Sequence, residues 1–404
     1  MRVARRRARF DVGILAKRQG NLGTEGIHMN NDNKARAGKG KLRGVIAAAA
    51  ASLLLAFALS LCACASQSTK ESAESKQEAA EPAEQTIVDM AGREVTLPMH
   101  PTKVMGAANP DGIIIYSINS ELLTGWTSNV SDAAKEYLDE RAANLPKITS
   151  VSKWEDPNKE EILAMDPDFI FVAVDLDNVD LSLYDNLTAE IGGPIVVGDA
   201  ELRNLGDTYR FLGTILDEKE QCEKLADFVD ATFADVDATL AKVPEADRLR
   251  VFYSTGDAGT QTCGDSNWNG QFVTPAGGVN VCDTDQTSGF ADVSMEQVLA
   301  WQPDVVISTA KGDKSALYAG EEWKDVKAVQ SGEVYAAPQA PFSWVDKPTG
   351  VNRVIGVKWT NSVLYPDAAT YDIKAAVKEF YFLFYHCELS DQQVSNLLDT
   401  KVAL

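Results

Sequence analysis

The sequence predicts an α/β fold: two Rossmann-like lobes with mainly parallel sheets, joined by a single long α-helix, with a ligand cleft between the lobes. Three observations predict it. The stretch "NKEEILAMDPDFIFV" at 158–172 returns as "SMEQVLAWQPDVVIS" at 294–308, one helix-to-strand unit in each half of the chain. Runs such as "DFIFVAV", "GPIVVG" and "DVVIST" are continuously apolar, as strands are when helices cover both faces of a parallel sheet. Residues 220–243 contain no proline and carry Cys222, Leu225, Val229, Phe233, Val236 and Leu240 at helical spacing. They can form one helix of 24 residues, about 36 Å long at 1.5 Å per residue.

Residues 1–63 stand apart from this pattern. A basic stretch, "KARAGKGKLRG", precedes the apolar run "VIAAAAASLLLAFALSL" and then "CACAS", the layout of a secretory signal. The run lies at the short edge of a membrane span, so a single-span anchor is the alternative. "Leu61-Cys62-Ala63-Cys64" resembles a bacterial lipobox, with a small residue before the cysteine and Leu61 three back. Cys64 is therefore the expected lipidated first residue of the mature protein. Cys62 fits less well, because Leu61 would then fill the small-residue position. The residues before Met29 do not resemble a signal, which makes Met29 a second candidate start. Lipid on Cys64 would hold the chain on the extracytoplasmic face of the cell membrane.

The full chain of 404 residues carries 38 Lys/Arg and 59 Asp/Glu. Setting aside 1–63, with 12 basic and 3 acidic residues, leaves 26 basic and 56 acidic, a net charge near −30. So acidic a surface argues against nucleic acid and against peripheral binding to anionic lipid. Residues 64–86 hold almost no bulky apolar side chain and are expected to be a disordered tether. The N-terminal lobe is expected at 87–204, opening with a small hairpin around Ala91-Gly92 and a first core strand at "KVMGAA", with a helical stretch at 131–143. The connecting helix region follows at 205–244, and the C-terminal lobe at 245–404 restarts with "LRVFYST" and closes on helices from about 350 to 398. Four cysteines remain after Cys64: Cys222, Cys263, Cys282 and Cys387. A Cys263–Cys282 disulfide and free buried thiols are both open readings.

In each copy of the repeated unit a cap-competent residue, Asn158 or Ser294, stands three residues before Glu161 or Gln297, the spacing of a capping box. Glu160 and Glu296 are left in the first turn, facing solvent. Singly, each complements the helix dipole; as a matched pair they suggest docking onto two matched basic partners. No GxSxG elbow, Walker loop, HExxH or CxxC is present, so an enzyme is not expected. Beyond residue 63 only His100 and His386 are histidines, too few for a histidine-rich metal site, and no intrinsic cofactor is expected.

Taken together, "DMAGREVTLPMHPTKV" (89–104), "NKEEILAMDPD" (158–168), "PAGGVNV" (275–281), "SMEQVLAWQPD" (294–304) and "WKDVKAVQSGEVYAAP" (323–338) resemble the class III periplasmic binding proteins. These deliver ferric siderophores, haem, cobalamin and related chelates to ABC importers. The resemblance covers the chain from 86 onward. It implies a monomer that captures a small-molecule metal chelate, a ferric siderophore first, and docks Glu160 and Glu296 onto arginines of an ABC permease dimer with its cytoplasmic ATPase. Haem, cobalamin or an oxyanion such as molybdate are alternative cargoes, and a surface sensor or adhesin without transport is the rival class. Ligands of open α/β sheets sit at the carboxyl ends of strands. The candidate ligand residues are therefore Asn109, Asp111, Trp154 and Asp175 in the first lobe, and Tyr253, Trp268, Phe290, Trp344, Lys347 and Arg353 in the second.

Overall fold

The computed structural model describes residues 83–151 and 157–404. They belong to one compact unit spanning Gln77–Leu404. Cys64 and Trp154 lie outside the described residues, as does nearly all of the expected tether. The first strand begins a little earlier than the composition suggests. Strands β1 (Glu84–Val88) and β2 (Glu94–Pro98) form an antiparallel hairpin, and Gln85 is fastened by donating to the Pro98 and Met99 carbonyls.

The first parallel sheet runs β3 (Val104–Gly106), β4 (Phe169–Val174), β5 (Ile195–Asp199) in that order. Around it lie α1 (Asn109–Ile118), α2 (Asp132–Lys135), α3 (Glu140–Ala143), α4 (Lys159–Met165) and α5 (Ser182–Ile191). Helices α6 (Leu205–Ile215) and α7 (Lys219–Leu240) lead to the second half. There β6 (Arg250–Ser254), β7 (Gln261–Thr262), β8 (Val279–Asn280), β9 (Ala291–Asp292), α8 (Met295–Trp301), β10 (Val305–Ser308), α9 (Lys314–Tyr318), α10 (Lys327–Gln330) and β11 (Val334–Ala336) follow. The second parallel sheet has the order β11-β10-β6-β8, and β7 pairs with β9 apart from it. The chain ends in α11 (Asn352–Leu364), α12 (Ile373–Tyr385) and α13 (Asp391–Leu398). The 131–143 stretch is two short helices rather than one, and among the described residues no helix is long and apolar enough to cross a membrane.

The unbroken apolar runs are explained by three cores. Side chains alternate across a strand, and here both faces are buried. Val104, Phe169, Phe171 and Val196 of the first sheet enter a central core, as do Val251, Tyr253, Val305 and Ile307 of the second. The intervening Met105, Ile170, Val172 and Val197 fill a core on the outer face of the first sheet. Phe252, Val306 and Val334 do the same for the second sheet. The central core is shared between the halves. It includes Leu225, Val229 and Val236 of α7, Tyr116 of α1, and Phe380 and Tyr385 of α12.

Helix α7 has 22 residues, about 33 Å, and buries Cys222, Leu225, Val229, Phe233 and Val236 along one stripe. Gly213 lets α6 approach closely, since a Cβ there would stand 2.8 Å from the Cys222 Cβ. Arg210 of α6 bridges Glu223 (3.1 Å), Asp227 (3.3 Å) and Asp230 (2.9 Å) on the exposed flank of α7. The four later cysteines are free, three of them buried, so the Cys263–Cys282 bridge is not formed. Burial pushes the Cys263 thiol up to about 12, which keeps it protonated.

Each repeated unit is built alike. Asn158 and Ser294 accept from the amides of Glu161 and Gln297, both at 3.2 Å. The return bonds of a full capping box are not formed. Each helix stops at a left-handed residue, Asp166 (φ 48°) or Gln302 (φ 44°), one place before the proline expected to end it. The next aspartate then clamps the neighbouring strand. Asp168 Oδ2 accepts from Lys103 N (2.8 Å) while Asp168 N donates to Lys103 O (2.8 Å). Asp304 makes the same two bonds with Arg250, each 2.8 Å.

Two further aspartates are structural. Asp89 takes Arg93 Nη2 (2.8 Å) and Val197 N (3.2 Å) on one oxygen and Arg93 N (2.9 Å) on the other, pinning the hairpin to β5. Asp111, expected at the ligand, is instead fully buried. Its two oxygens accept from Ala173 N and Ala108 N, each 2.9 Å, tying α1 to β4. Burial pushes its carboxyl up to about 7.

Replacing Asp89 by Ala leaves the largely buried Arg93 guanidinium with only Asp185 (2.9 Å) and the Ile195 carbonyl (2.7 Å) and removes the acceptor of the Arg93 and Val197 amides. It should lower unfolding free energy by about 3 kcal/mol, read from urea denaturation. For Asp111 the sign runs the other way from a salt-bridged carboxylate. Between its ordinary 3.8 and about 7 the folded chain holds a proton that the unfolded chain has lost, so stability falls as pH rises through that window. The stability difference between the wild type and Asp111→Asn should therefore move in the wild type's favour as pH drops from about 7 to about 4, read from urea midpoints at each pH.

Candidate functional site

The start of α1, just after β3, meets the segment that follows β11. A Cβ on Gly350 would lie 3.1 Å from the Pro110 Cα, so the bare glycine eases this close approach. The Trp126 and Phe342 rings, one from each half, are 5.8 Å apart. The carboxyl end of the first sheet is thus brought against the loops that follow the second.

In the first half, Asn109 opens α1 and is half-buried; its Oδ1 accepts from Ser128 N and Thr127 Oγ1, both at 3.1 Å. Asp175 follows β4 and spends its oxygens on its own turn, on Asp177 N (3.0 Å) and Asn178 Nδ2 (2.7 Å). Both residues stand at strand ends, yet both mainly shape loops.

The second half supplies a largely buried polar cluster. Tyr253 donates to Asp346 Oδ2 at 2.6 Å. Thr309 Oγ1 lies 3.1 Å from the same oxygen and 3.0 Å from the hydroxyls of Tyr253 and Thr255. Burial first, then the Asp346 charge, holds the phenol well above its ordinary range, so Tyr253 remains a donor. Its ring is core, packed edge-on against Phe272 at 5.4 Å and beside Phe290 at 6.1 Å. Lys347 is exposed and places Nζ 4.7 Å from the centre of the half-buried Phe290 ring.

Trp344 does not reach the cleft. It is 0% exposed, 6.5 Å from Trp359 and 6.4 Å from Tyr381, with its backbone pressed on Gly356. Aromatic size decided its place: polar neighbours in sequence did not keep so large a ring out of the core. His386 is exposed, with its Nε2 3.1 Å from the Tyr116 carbonyl.

Arg353 is the most unusual member. It is 1% exposed, donates to the carbonyls of Trp268 (3.0 Å) and Thr349 (3.1 Å), and sits 5.5 Å from the Trp268 ring centre. Burial lowers its guanidinium to about 10, with the Glu201 charge working against that, so it stays charged at neutral pH.

Thr255, Thr309 and Asp346 were not singled out as individual residues from the sequence. The threonines had a signal: "Ser254-Thr255" and "Ser308-Thr309" both close apolar runs, and Ser254 pairs with Ser308 across the sheet. Asp346 had none, because nothing local dictates the path of the loop it occupies.

On the repeated units, Glu160 and Glu296 are both exposed in the first turns of α4 and α8. Hydrogen bonds from its own backbone and Ser294 hold the Glu296 carboxyl below its usual range. Neither glutamate is in an ion pair among the described residues.

A family model described as "Periplasmic binding protein" matches residues 115–341. A solved ABC transporter solute-binding protein from Sulfurospirillum deleyianum is 30% identical with a TM-score of 0.71, covering 77% of this chain and 98% of that one. The molybdate-binding protein MolA of Haemophilus influenzae is 24% identical over 75% of this chain and 91% of its own length. A vitamin B12-binding protein of Salmonella choleraesuis is 28% identical over 50% of this chain and 74% of its own. With a matched family model over more than half of the chain, paired parallel sheets and one long connecting helix, the chain belongs to the periplasmic binding protein family, as a solute-binding protein of ABC import.

Proposed function

We propose that this protein, held to the membrane by lipid on Cys64, captures a metal chelate between its halves and delivers it to an ABC permease dimer. A ferric siderophore is the first reading of the cargo. The observation that carries the delivery step is the matched pair, Glu160 and Glu296. They hold the same position in two copies of one structural unit, both exposed, while Asn158 and Ser294 of that unit cap its helices and Asp168 and Asp304 clamp its strands. Two equivalent carboxylates suit two equivalent basic sites on a paired membrane protein, and such charges act mainly through steering and register.

On the cargo side, the Phe290–Lys347 and Trp268–Arg353 pairs join aromatic faces to cations, which suits a bulky anionic chelate. Molybdate is a second reading, favoured by the likeness to MolA over 91% of that protein and by the buried charge of Arg353.

Tryptophan fluorescence titrated with ferric siderophores, haem, cobalamin and molybdate should give saturable binding with one class; silence across the panel overturns the cargo reading. The double variant Glu160→Ala/Glu296→Ala should keep its cargo affinity within about twofold while uptake falls by about tenfold or more, the exposed charges acting on association and not on the cleft. Uptake at the wild-type level in cells carrying that variant removes the docking assignment.

A further inference from the structure

Helix α11 starts without a side-chain cap. Its N-cap is Val351, and its thirteen residues present a positive end toward Thr349 and Gly350. Arg353, in the first turn, folds its guanidinium back over that end to reach the Thr349 carbonyl and, from the facing loop, the Trp268 carbonyl. Two of its five N–H donors are thereby used. Its Nε has no partner among the described residues, and neither has the Nδ2 of Asn352, the fully buried residue beside it.

Both orphaned groups at this helix start are donors. The one carboxylate that acts on Arg353, that of Glu201 after β5 in the other half, does so through space and is exposed to water. A buried cation with spare donors and no counter-ion is unfavourable unless something supplies the missing acceptor. This helix end also lies next to the point where Gly350 touches Pro110, where the two halves meet.

We propose that the first turn of α11 is an oxyanion seat, in which Arg353 Nε and the helix end hold the negatively charged head of the cargo above Trp268. The head is a free tetrahedral oxyanion or a carboxylate arm of a chelate; both offer the same charged oxygens. The inference rests on the transport reading and narrows it to anionic cargo.

The full chain in detergent is titrated calorimetrically with sodium molybdate, with ferric citrate and with neutral cyanocobalamin. The wild type should bind at least one of the two anionic probes, and which one binds identifies the source of the oxyanion. Arg353→Met should weaken that binding by about 100-fold, and Arg353→Lys by less, since the charge survives without the planar fork. The probe-free Arg353→Met chain should melt no lower than the wild type, because an unpaired buried charge has been removed.

Three outcomes overturn the seat: neither anion binds the wild type, both variants bind the anion as well as the wild type does, or Arg353→Met loses binding together with thermal stability, which makes Arg353 a structural tie. Cyanocobalamin binding without anion binding overturns the seat and leaves the transport reading standing. Failure of all three probes overturns the seat and counts against transport as well.

Discussion

The halves of this protein share one apolar core, and that constraint governs what the molecule can do. Tyr116 of α1 donates to the Tyr385 carbonyl at 2.9 Å while its own carbonyl is met by His386. Phe380 and Phe384 of α12 stack at 4.5 Å, and both lie near Phe228 of α7. A buried aromatic ring removes roughly 150–250 Å² from water, which at about 25 cal/mol per Å² is some 4–6 kcal/mol per ring. Swinging the two sheets wide apart would expose several such rings at once, more than the whole stability of an ordinary domain. The molecule is therefore restricted to small displacements, and recognition falls to the loops at the strand ends rather than to large closure.

That restriction gives the repeated unit its meaning. Because the halves hold a nearly fixed geometry, two exposed side chains placed on equivalent helices keep a nearly fixed separation. The unit secures this with few parts. A cap at Asn158 or Ser294 starts the helix, one buried residue (Ile162 or Val298) anchors it, a left-handed residue stops it, and Asp168 or Asp304 locks it to the first strand of its sheet. A short helix held at both ends is a stiff mount. The glutamate in its first turn is exposed and bonds no other element of the fold, which distinguishes a residue available to a partner from one consumed by the fold.

The sequence disclosed what local periodicity and spacing can disclose. Strand runs were legible because both faces are buried and no polar residue breaks them, and α7 was legible from its stripe, within one residue at its start and three at its end. The caps at Asn158 and Ser294 followed from residue type. Where the reading failed, long-range path was the missing information. Asp111 was placed correctly at a strand end, but the sequence could not reveal that two backbone amides, one from β4, would take both its oxygens. Trp344 sits in a polar stretch, yet the loop folds back and delivers the ring to α12. The Cys263–Cys282 pairing was suggested by proximity along a loop region, whereas the thiols lie buried and unlinked. For the strongest member of the candidate site, Arg353, the sequence shows only its charge. Its burial without a counter-ion is a tertiary fact.

The balance of charge then poses a physical problem for an anionic cargo, since the chain beyond residue 63 carries a net charge near −30. Distance resolves it. Exposed charges separated by more than about 8 Å are largely screened at physiological ionic strength, so the acidic exterior fades before it reaches the strand ends. A buried guanidinium acts at contact, where an effective dielectric near 20 gives about 4 kcal/mol at 4 Å. The local cation therefore outweighs the remote anionic field inside the site. Outside it the same acidic surface has no such opponent, and it reinforces the two exposed glutamates toward any basic face of a membrane partner.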